Sequence, residues 1–192
     1  MQTINPEISI EKFDKEVNQF LSSEEMHRKR GIIMLKREFP NVILSFSAIQ
    51  LKPAVHVFAV KVNFDNYDLD PPSIRFIDPF TWEDLPNIPI PMLRRMIKDN
   101  GMMELQPLVQ QDTTGLPFIC FPGVREYHRH PAHSGNSWLL HRKVDGEGTL
   151  GFLVEKIFEY GISAISSFQF QTITQVVSPI AQIGFDPNLI PT

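Results

Sequence analysis

Apolar residues at the start of the chain recur at the spacing of an amphipathic helix. From Ser9 they appear every three or four positions, which would make one face of a helix apolar. The members of this stripe are Ile10, Phe13, Val17, Phe20 and Leu21. The run Ser22-Ser-Glu-Glu25 has the pattern of a capping box, so we predict a second helix from there to a stop at Phe39-Pro40, or one bent helix that contains both segments.

In the next part of the chain, β-branched and aromatic residues recur at every second position, which is the period of a β-strand. Residues 42–49 and 55–64 are rich in β-branched and aromatic side chains and are separated by a short link, so we expect an antiparallel pair. A turn and a Pro-Pro segment then lead to a third short strand at residues 73–77.

Helical signals return in the second half of the chain. Pro91 suits the first position of a helix and Gly101 suits the residue after its end, which predicts a short inserted helix between them. Thr149 can cap a further helix that ends at Gly161. Its apolar stripe consists of Leu150, Leu153, Ile157 and Tyr160. Beyond residue 162 we expect only a C-terminal extension.

The composition limits the classes of function. The 192 residues are 42% hydrophobic, which is enough for one domain with a real core. The net charge of −4 offers no basic field for a phosphate backbone, so we expect no nucleic-acid partner. No apolar run is long enough for a bilayer and the start of the chain lacks a signal-peptide pattern, so we expect a cytoplasmic protein with no membrane partner.

The single cysteine, Cys120, begins the stretch with the densest reactive side chains. A lone thiol cannot form an internal disulfide, which agrees with a reducing compartment and leaves the sulfur free for chemistry. Behind it come Glu126 and four of the six histidines, namely His128, His130, His133 and His141. Thiol, imidazole and carboxylate groups bind zinc or perform acyl transfer, and the residue types leave both roles open, as well as a combination in which the glutamate and histidines hold the metal beside a free thiol.

Two motifs in this order resemble those of ubiquitin-conjugating enzymes. They are Tyr67-x-x-x-Pro71-Pro72-x-Ile-x-Phe76 and Gly115-x-x-x-Ile119-Cys120. The resemblance implies an α+β domain of the ubiquitin-conjugating (UBC-like) type, with an antiparallel meander sheet of about four strands flanked by helices. In that family the cysteine accepts ubiquitin. The chain departs from the family in one respect, because no His-Pro-Asn element precedes Cys120.

The stretch after the cysteine has a narrower resemblance. It is similar to metal-binding proteins with a Cys-Glu-His-His signature that occur beside bacterial ubiquitin-like, activating-enzyme-like and deubiquitinase-like proteins. That resemblance implies a zinc ion held by Cys120, Glu126, His130 and His133, with His128 as a substitute ligand.

These resemblances imply two alternative functions. In the first, Cys120 accepts a ubiquitin-like modifier as a thioester from an activating-like enzyme and transfers it to a target, as a bacterial acyltransferase in antiphage defence. His128 and Asn136 are the candidates for assisting the reaction, with Arg125 as a further local candidate. In the second, the protein is a non-catalytic, zinc-stabilised adaptor that binds the ubiquitin-like protein or its activating enzyme.

The resemblance also predicts how the chain divides. Residues 1–21 would be an N-terminal helical extension, residues 22–162 the UBC-like domain with the cysteine-histidine site, and residues 163–192 the C-terminal extension.

Overall fold

Helices lie at both ends of the described chain and strands lie between them. The computed structural model describes residues 5–86, 93–99, 102–133, 135–142 and 146–167. The helices are α1 (Pro6–Leu21), α2 (Glu24–Lys29), α3 (Arg125–Arg129), α4 (Trp138–His141) and α5 (Leu150–Gly161), with a 3-10 turn at Pro131–His133. The strands are β1 (Ile32–Glu38), β2 (Asn41–Ala48), β3 (Val55–Asn63), β4 (Ser73–Ile77), β5 (Arg94–Asp99), β6 (Met102–Pro107), β7 (Val109–Gln111) and β8 (Pro117–Ile119).

Strands β1 to β4 form one antiparallel meander sheet in chain order. Leu44 of β2 lies opposite Val60 of β3, and Val62 of β3 lies opposite Ile74 of β4. All four of these side chains are fully buried. The predicted antiparallel pair, the third strand and the mixed α+β fold with a four-stranded meander are therefore confirmed.

The predicted second helix is wrong in its extent. Helix α2 ends at Lys29, and the segment from Ile32 is strand β1. The helix and the strand are separated at Gly31, whose φ of +80° is rarely adopted by residues other than glycine. The Gly31 carbonyl accepts a hydrogen bond from the Ser47 N–H at 2.8 Å. Pairing with β2 then holds the next residues in an extended conformation, which outweighs their local helical spacing.

The predicted inserted helix is also wrong. Arg94–Asp99 is strand β5, which pairs antiparallel with β6 over the full length of both strands. The sequence places Asn100-Gly101 between the two strands, and Asn-Gly between extended segments is a strong hairpin signal. The prediction took Gly101 as the end of a helix and overlooked that it also completes this hairpin signal.

Helices α1 and α5 cover the apolar face of the meander sheet. Phe13 and Val17 of α1 and Leu153 and Ile157 of α5 belong to the same buried cluster as the sheet residues. Both helices are confirmed close to their predicted bounds, and the Thr149 side chain caps α5 by accepting a hydrogen bond from the Phe152 N–H. The boundaries of the predicted domains at residues 21 and 162 stay predictions, and the tail beyond residue 167 lies outside the described residues.

None of the helices in the described ranges has the length and apolar content that a bilayer crossing requires.

Candidate functional site

Cys120 follows directly after strand β8 of the small β7–β8 hairpin. Its backbone N–H donates to the Leu108 carbonyl at 2.6 Å, which fixes the start of the loop that follows. The residue is only 7% exposed. Its Sγ lies 3.2 Å from Nε2 of His133, so the thiol and one imidazole of the predicted stretch are in direct contact.

The His133 ring is held in place by an aromatic neighbour. His133 is the last residue of the 3-10 turn that follows α3, and its ring stacks on Tyr127 with a centroid distance of 4.0 Å and an interplanar angle of 23°. Tyr127 is fixed in turn, because its Oη accepts a hydrogen bond from Asn136 Nδ2 at 3.0 Å. Asn136 thus supports the imidazole through Tyr127, and its amide is already engaged.

His128 joins this network at a different point. Its Nε2 accepts from the Gly123 N–H at 3.1 Å, so the proton of the neutral ring lies on Nδ1, which donates to the Asn136 carbonyl at 2.8 Å. Gly123 has a φ of +86° and lies in the loop that leaves Cys120. Both nitrogens of His128 are therefore used to tie this loop to Asn136.

Burial sets the charge states of the contacting pair. Burial raises the pKa of the Cys120 thiol, and the positive charge of Arg95 opposes this to a smaller extent. Burial also lowers the pKa of His133, with smaller contributions from the neighbouring His130 and His128. At neutral pH both groups are therefore uncharged, and the thiol can donate its hydrogen to Nε2 of an imidazole that carries its own proton on Nδ1.

Glu126 is engaged in a separate polar network. Its Oε1 accepts from Ser73 Oγ at 2.5 Å and lies 3.5 Å from Nη2 of Arg75, and the side chain is only 9% exposed. Arg75 also donates to Asp112 at 2.6 Å. These contacts join α3 to β4 and to the β7–β8 turn. Ser73 and Arg75 were missed by the sequence reasoning, because alternation places both on one face of a strand without indicating what packs against that face.

His130 lies between the two networks. Its ring centroid is 5.8 Å from those of Phe118 and His133, and its Nδ1 accepts from the Ala132 N–H at 3.3 Å. Arg125, the further local candidate, donates to the carbonyl oxygens of Pro71 and Asp65, so it anchors the Pro-Pro segment to α3.

The predicted zinc ligands are only partly brought together. Cys120 and His133 touch, whereas the Glu126 carboxylate is bonded to Ser73 and lies beside the Arg75 guanidinium, whose positive charge opposes a metal ion. Within the described ranges no group of three or more His, Cys, Asp or Glu side chains is arranged as a metal site. In this arrangement the four donors do not fit one zinc shell, and zinc binding stays a prediction.

A pocket of about 220 Å³ opens beside Tyr127, the residue on which the His133 ring stacks. Tyr127, His128 and Asn136 line one part of it, and Pro122 and Glu147 line another. Space for a reactant therefore adjoins the network that holds His133.

The comparison with known proteins places the chain in a family. The sequence pattern of the Y4jH-like family matches residues 4–165, which include every helix and strand described above. The chain belongs to the Y4jH-like family. It is 37% identical over 184 residues to the uncharacterized protein y4jH of Sinorhizobium fredii (strain NBRC 101917 / NGR234), covering 88% of this chain and 89% of that protein. The cysteine-histidine site lies inside the region that matches the Y4jH-like family.

Proposed function

We propose that this member of the Y4jH-like family carries an acyl group on Cys120 as a thioester, with His133 as the general base. The observation that carries the proposal is the 3.2 Å contact between Sγ and Nε2. A nucleophile in hydrogen-bond contact with a base, which is itself oriented by a third group, is the arrangement that covalent catalysis requires. Here Tyr127 orients the base by stacking.

The proton and the acyl group move together in this scheme. As the sulfur attacks the carbonyl carbon of an incoming thioester, the Sγ proton passes to Nε2 of His133, a C–S bond forms at Cys120, and the donor's C–S bond breaks. The departing thiolate takes the proton from His133. In the second step an acceptor amine attacks the Cys120 thioester, and the sulfur leaves with the proton that His133 has removed from the amine.

The acyl group in this proposal is the C-terminal carboxyl of a ubiquitin-like modifier, delivered by an activating-like enzyme. Two features support this part. The order of helix, four-stranded meander, cysteine segment and helix agrees with the resemblance to ubiquitin-conjugating enzymes. The Pro-Pro motif also adjoins the site, because the Pro72 carbonyl accepts from the Arg125 N–H at 2.8 Å at the start of α3. Bacterial antiphage defence is the context that the resemblance suggests.

A second candidate function is a non-catalytic adaptor that binds the ubiquitin-like protein or its activating enzyme. The observation in its favour is the burial of Cys120, which keeps the thiol protonated and shields it from large reactants. Zinc belongs to this alternative, and elemental analysis of the purified protein tests it. About one zinc per chain, lost in His133→Ala, would support a metal-stabilised adaptor.

The decisive experiment is incubation with an activating enzyme, ATP and the modifier. We expect a band shift that a thiol reductant reverses and that Cys120→Ala abolishes. His133→Ala should slow its formation by roughly 100-fold, the usual contribution of a positioned general base. If this protein co-purifies with the modifier or the activating enzyme but no reducible band forms at any pH, the adaptor hypothesis is correct and the carrier hypothesis is wrong.

A further inference from the structure

Cys120 lies where the two small hairpins meet. The Leu108 N–H donates to the Leu93 carbonyl at 2.7 Å, and the Leu108 carbonyl accepts from the Cys120 N–H at 2.6 Å. Leu93 directly precedes β5, and Leu108 lies between β6 and β7. The open end of the β5–β6 hairpin and the end of the β7–β8 hairpin are therefore held together at Leu108, next to the cysteine.

Arg95 of β5 lies on the same face of its hairpin as Leu93. Side chains two positions apart share one face of a strand, and the partner of Arg95 across the hairpin is Gln106, two positions before Leu108. Leu93 and Leu108 are buried and Gln106 is half-buried, so this face is turned toward the rest of the domain. Nε of Arg95 donates to Oε1 of Gln106 at 2.8 Å, which orients the guanidinium on this face.

The charge of Arg95 acts at the sulfur and remains available. It opposes the rise in the Cys120 pKa that burial causes, so its field reaches the thiol. The bond to Gln106 uses only Nε, and among the described residues no carboxylate forms a salt bridge with Nη1 or Nη2. The side chain is exposed, so a reactant that approaches the thiol can meet it. A guanidinium in this state can bind an oxyanion through its free nitrogens.

We propose that Arg95 stabilises the negative charge that forms at Cys120 when the thiol reacts. The inference rests on the proposed function, in which this charge is on the carbonyl oxygen of the acyl group. As Sγ bonds to the carbonyl carbon and its proton passes to His133, the π electrons of the C=O bond move to the oxygen, which accepts hydrogen bonds from Arg95. The C=O bond re-forms when the donor's C–S bond breaks, and the departing thiolate takes the proton from His133.

Iodoacetate and iodoacetamide test this charge without an acyl donor. Both reagents alkylate the same thiolate, but only iodoacetate brings a negative charge to the sulfur. The ratio of the iodoacetate rate to the iodoacetamide rate at one pH therefore reports the electrostatic potential at Cys120, whatever fraction of the thiol is ionised. Arg95→Gln should lower this ratio at least about threefold at low salt. The difference should shrink near 1 M salt, where charges are screened beyond about 3 Å.

Two further variants separate the charge of Arg95 from its packing. Arg95→Lys keeps the positive charge and should keep the ratio within about twofold of the parent value. Arg94→Gln removes the charge of the adjacent residue, which is also exposed but lines a pocket at the end of α5 together with Leu105, on the other face of the hairpin. This control should leave the ratio unchanged.

The assay for the reducible band distinguishes this inference from the proposed function. Arg95→Gln should slow formation of the band at least about tenfold, whereas Arg94→Gln should not slow it. A lower alkylation ratio in Arg95→Gln, with no band even in the parent protein, would support the role of Arg95 and reject the acyl carrier. An unchanged alkylation ratio in Arg95→Gln, or an equal fall in Arg94→Gln, would overturn the inference even where the band forms.

Discussion

At the scale of single residues, the neutral state of the Cys120–His133 pair has a measurable consequence. Because burial raises the thiol pKa and lowers the imidazole pKa, no thiolate-imidazolium pair forms at rest. Alkylation of Cys120 by iodoacetamide should therefore be slow at neutral pH, and its rate should continue to rise with pH beyond the ordinary thiol pKa of about 8.5.

The matched variants for that measurement are His133→Ala and His130→Ala. The first removes the ring that contacts Sγ and should lower the alkylation rate at neutral pH, whereas the second removes a ring 5.8 Å from His133 and should change it little. Fast alkylation that persists at pH values near 5 would show a preformed ion pair and would contradict the general-base assignment.

Asp112 provides a prediction for stability. Its folded pKa of about 2 lies below the ordinary value of 3.8, so its ionised form stabilises the fold above the ordinary pKa, and this contribution is lost as the pH falls toward the folded value. Asp112→Asn should lower the free energy of unfolding at pH 7 by on the order of 1–2 kcal/mol. Urea unfolding at pH 7 and near pH 2 measures this. An equal deficit at both pH values would contradict the electrostatic origin.

At the scale of secondary-structure elements, Gly31 separates helix α2 from strand β1. A Cβ at this position would lie 2.2 Å from the Ser47 carbonyl oxygen, and the φ of +80° is itself unfavourable for a side chain. Gly115 has the same φ of +80°, but a Cβ added there would meet no atom within 4 Å, so Gly115→Ala is a matched control for the backbone angle alone. Gly115→Ala should lower the free energy of unfolding by about 1 kcal/mol. Gly31→Ala should lower it by at least about 2 kcal/mol more. Similar losses in both variants would show that the Ser47 contact relaxes easily.

The elements that the sequence predicted well are those in which local pattern and tertiary packing agree. Helices α1 and α5 have an apolar stripe that faces the sheet, and strands β2 and β3 alternate clearly. The pattern failed for Ile32–Glu38 and Arg94–Asp99, where pairing with a neighbouring strand decides the conformation. The apolar spacing alone does not indicate such partners, although the Asn100-Gly101 pair is a hairpin signal for the second of them.

The same limit applies to the candidate site. The density of imidazoles after Cys120 indicated the stretch in which a thiol and an imidazole meet, but which ring meets the sulfur depends on how the 3-10 turn follows α3. His133 reaches the thiol because the chain reverses after His130 and its ring rests on Tyr127. His128 and Asn136, the predicted assisting residues, connect the loop after Cys120 to Tyr127, and their assisting role stays a prediction. The roles of individual residues therefore depend on tertiary contacts that spacing along the chain does not encode.

At the scale of the whole molecule, helix α1 decides whether residues 1–21 are an extension or part of the domain. The buried residues of α1 include Phe13, Val17 and Phe20, which lie in the cluster that also contains the sheet and α5. Burying one such side chain contributes about 1.5–3 kcal/mol, so the three together approach the total stability of about 5–15 kcal/mol that a small domain has. Replacing all three with alanine should abolish cooperative unfolding in urea.

The matched control uses the opposite face of the same helix. Glu11, Lys15 and Gln19 are exposed, and their replacement with alanine makes the same number of changes without opening a cavity. This variant should unfold cooperatively within about 1 kcal/mol of the parent protein. If the first variant still unfolds cooperatively and its free energy of unfolding falls only slightly, α1 is a separable extension. The Cys120 segment would then be supported by the sheet and α5 alone. If cooperative unfolding is lost in the Phe13, Val17 and Phe20 variant and kept in the control, α1 is part of the folding unit that holds the site.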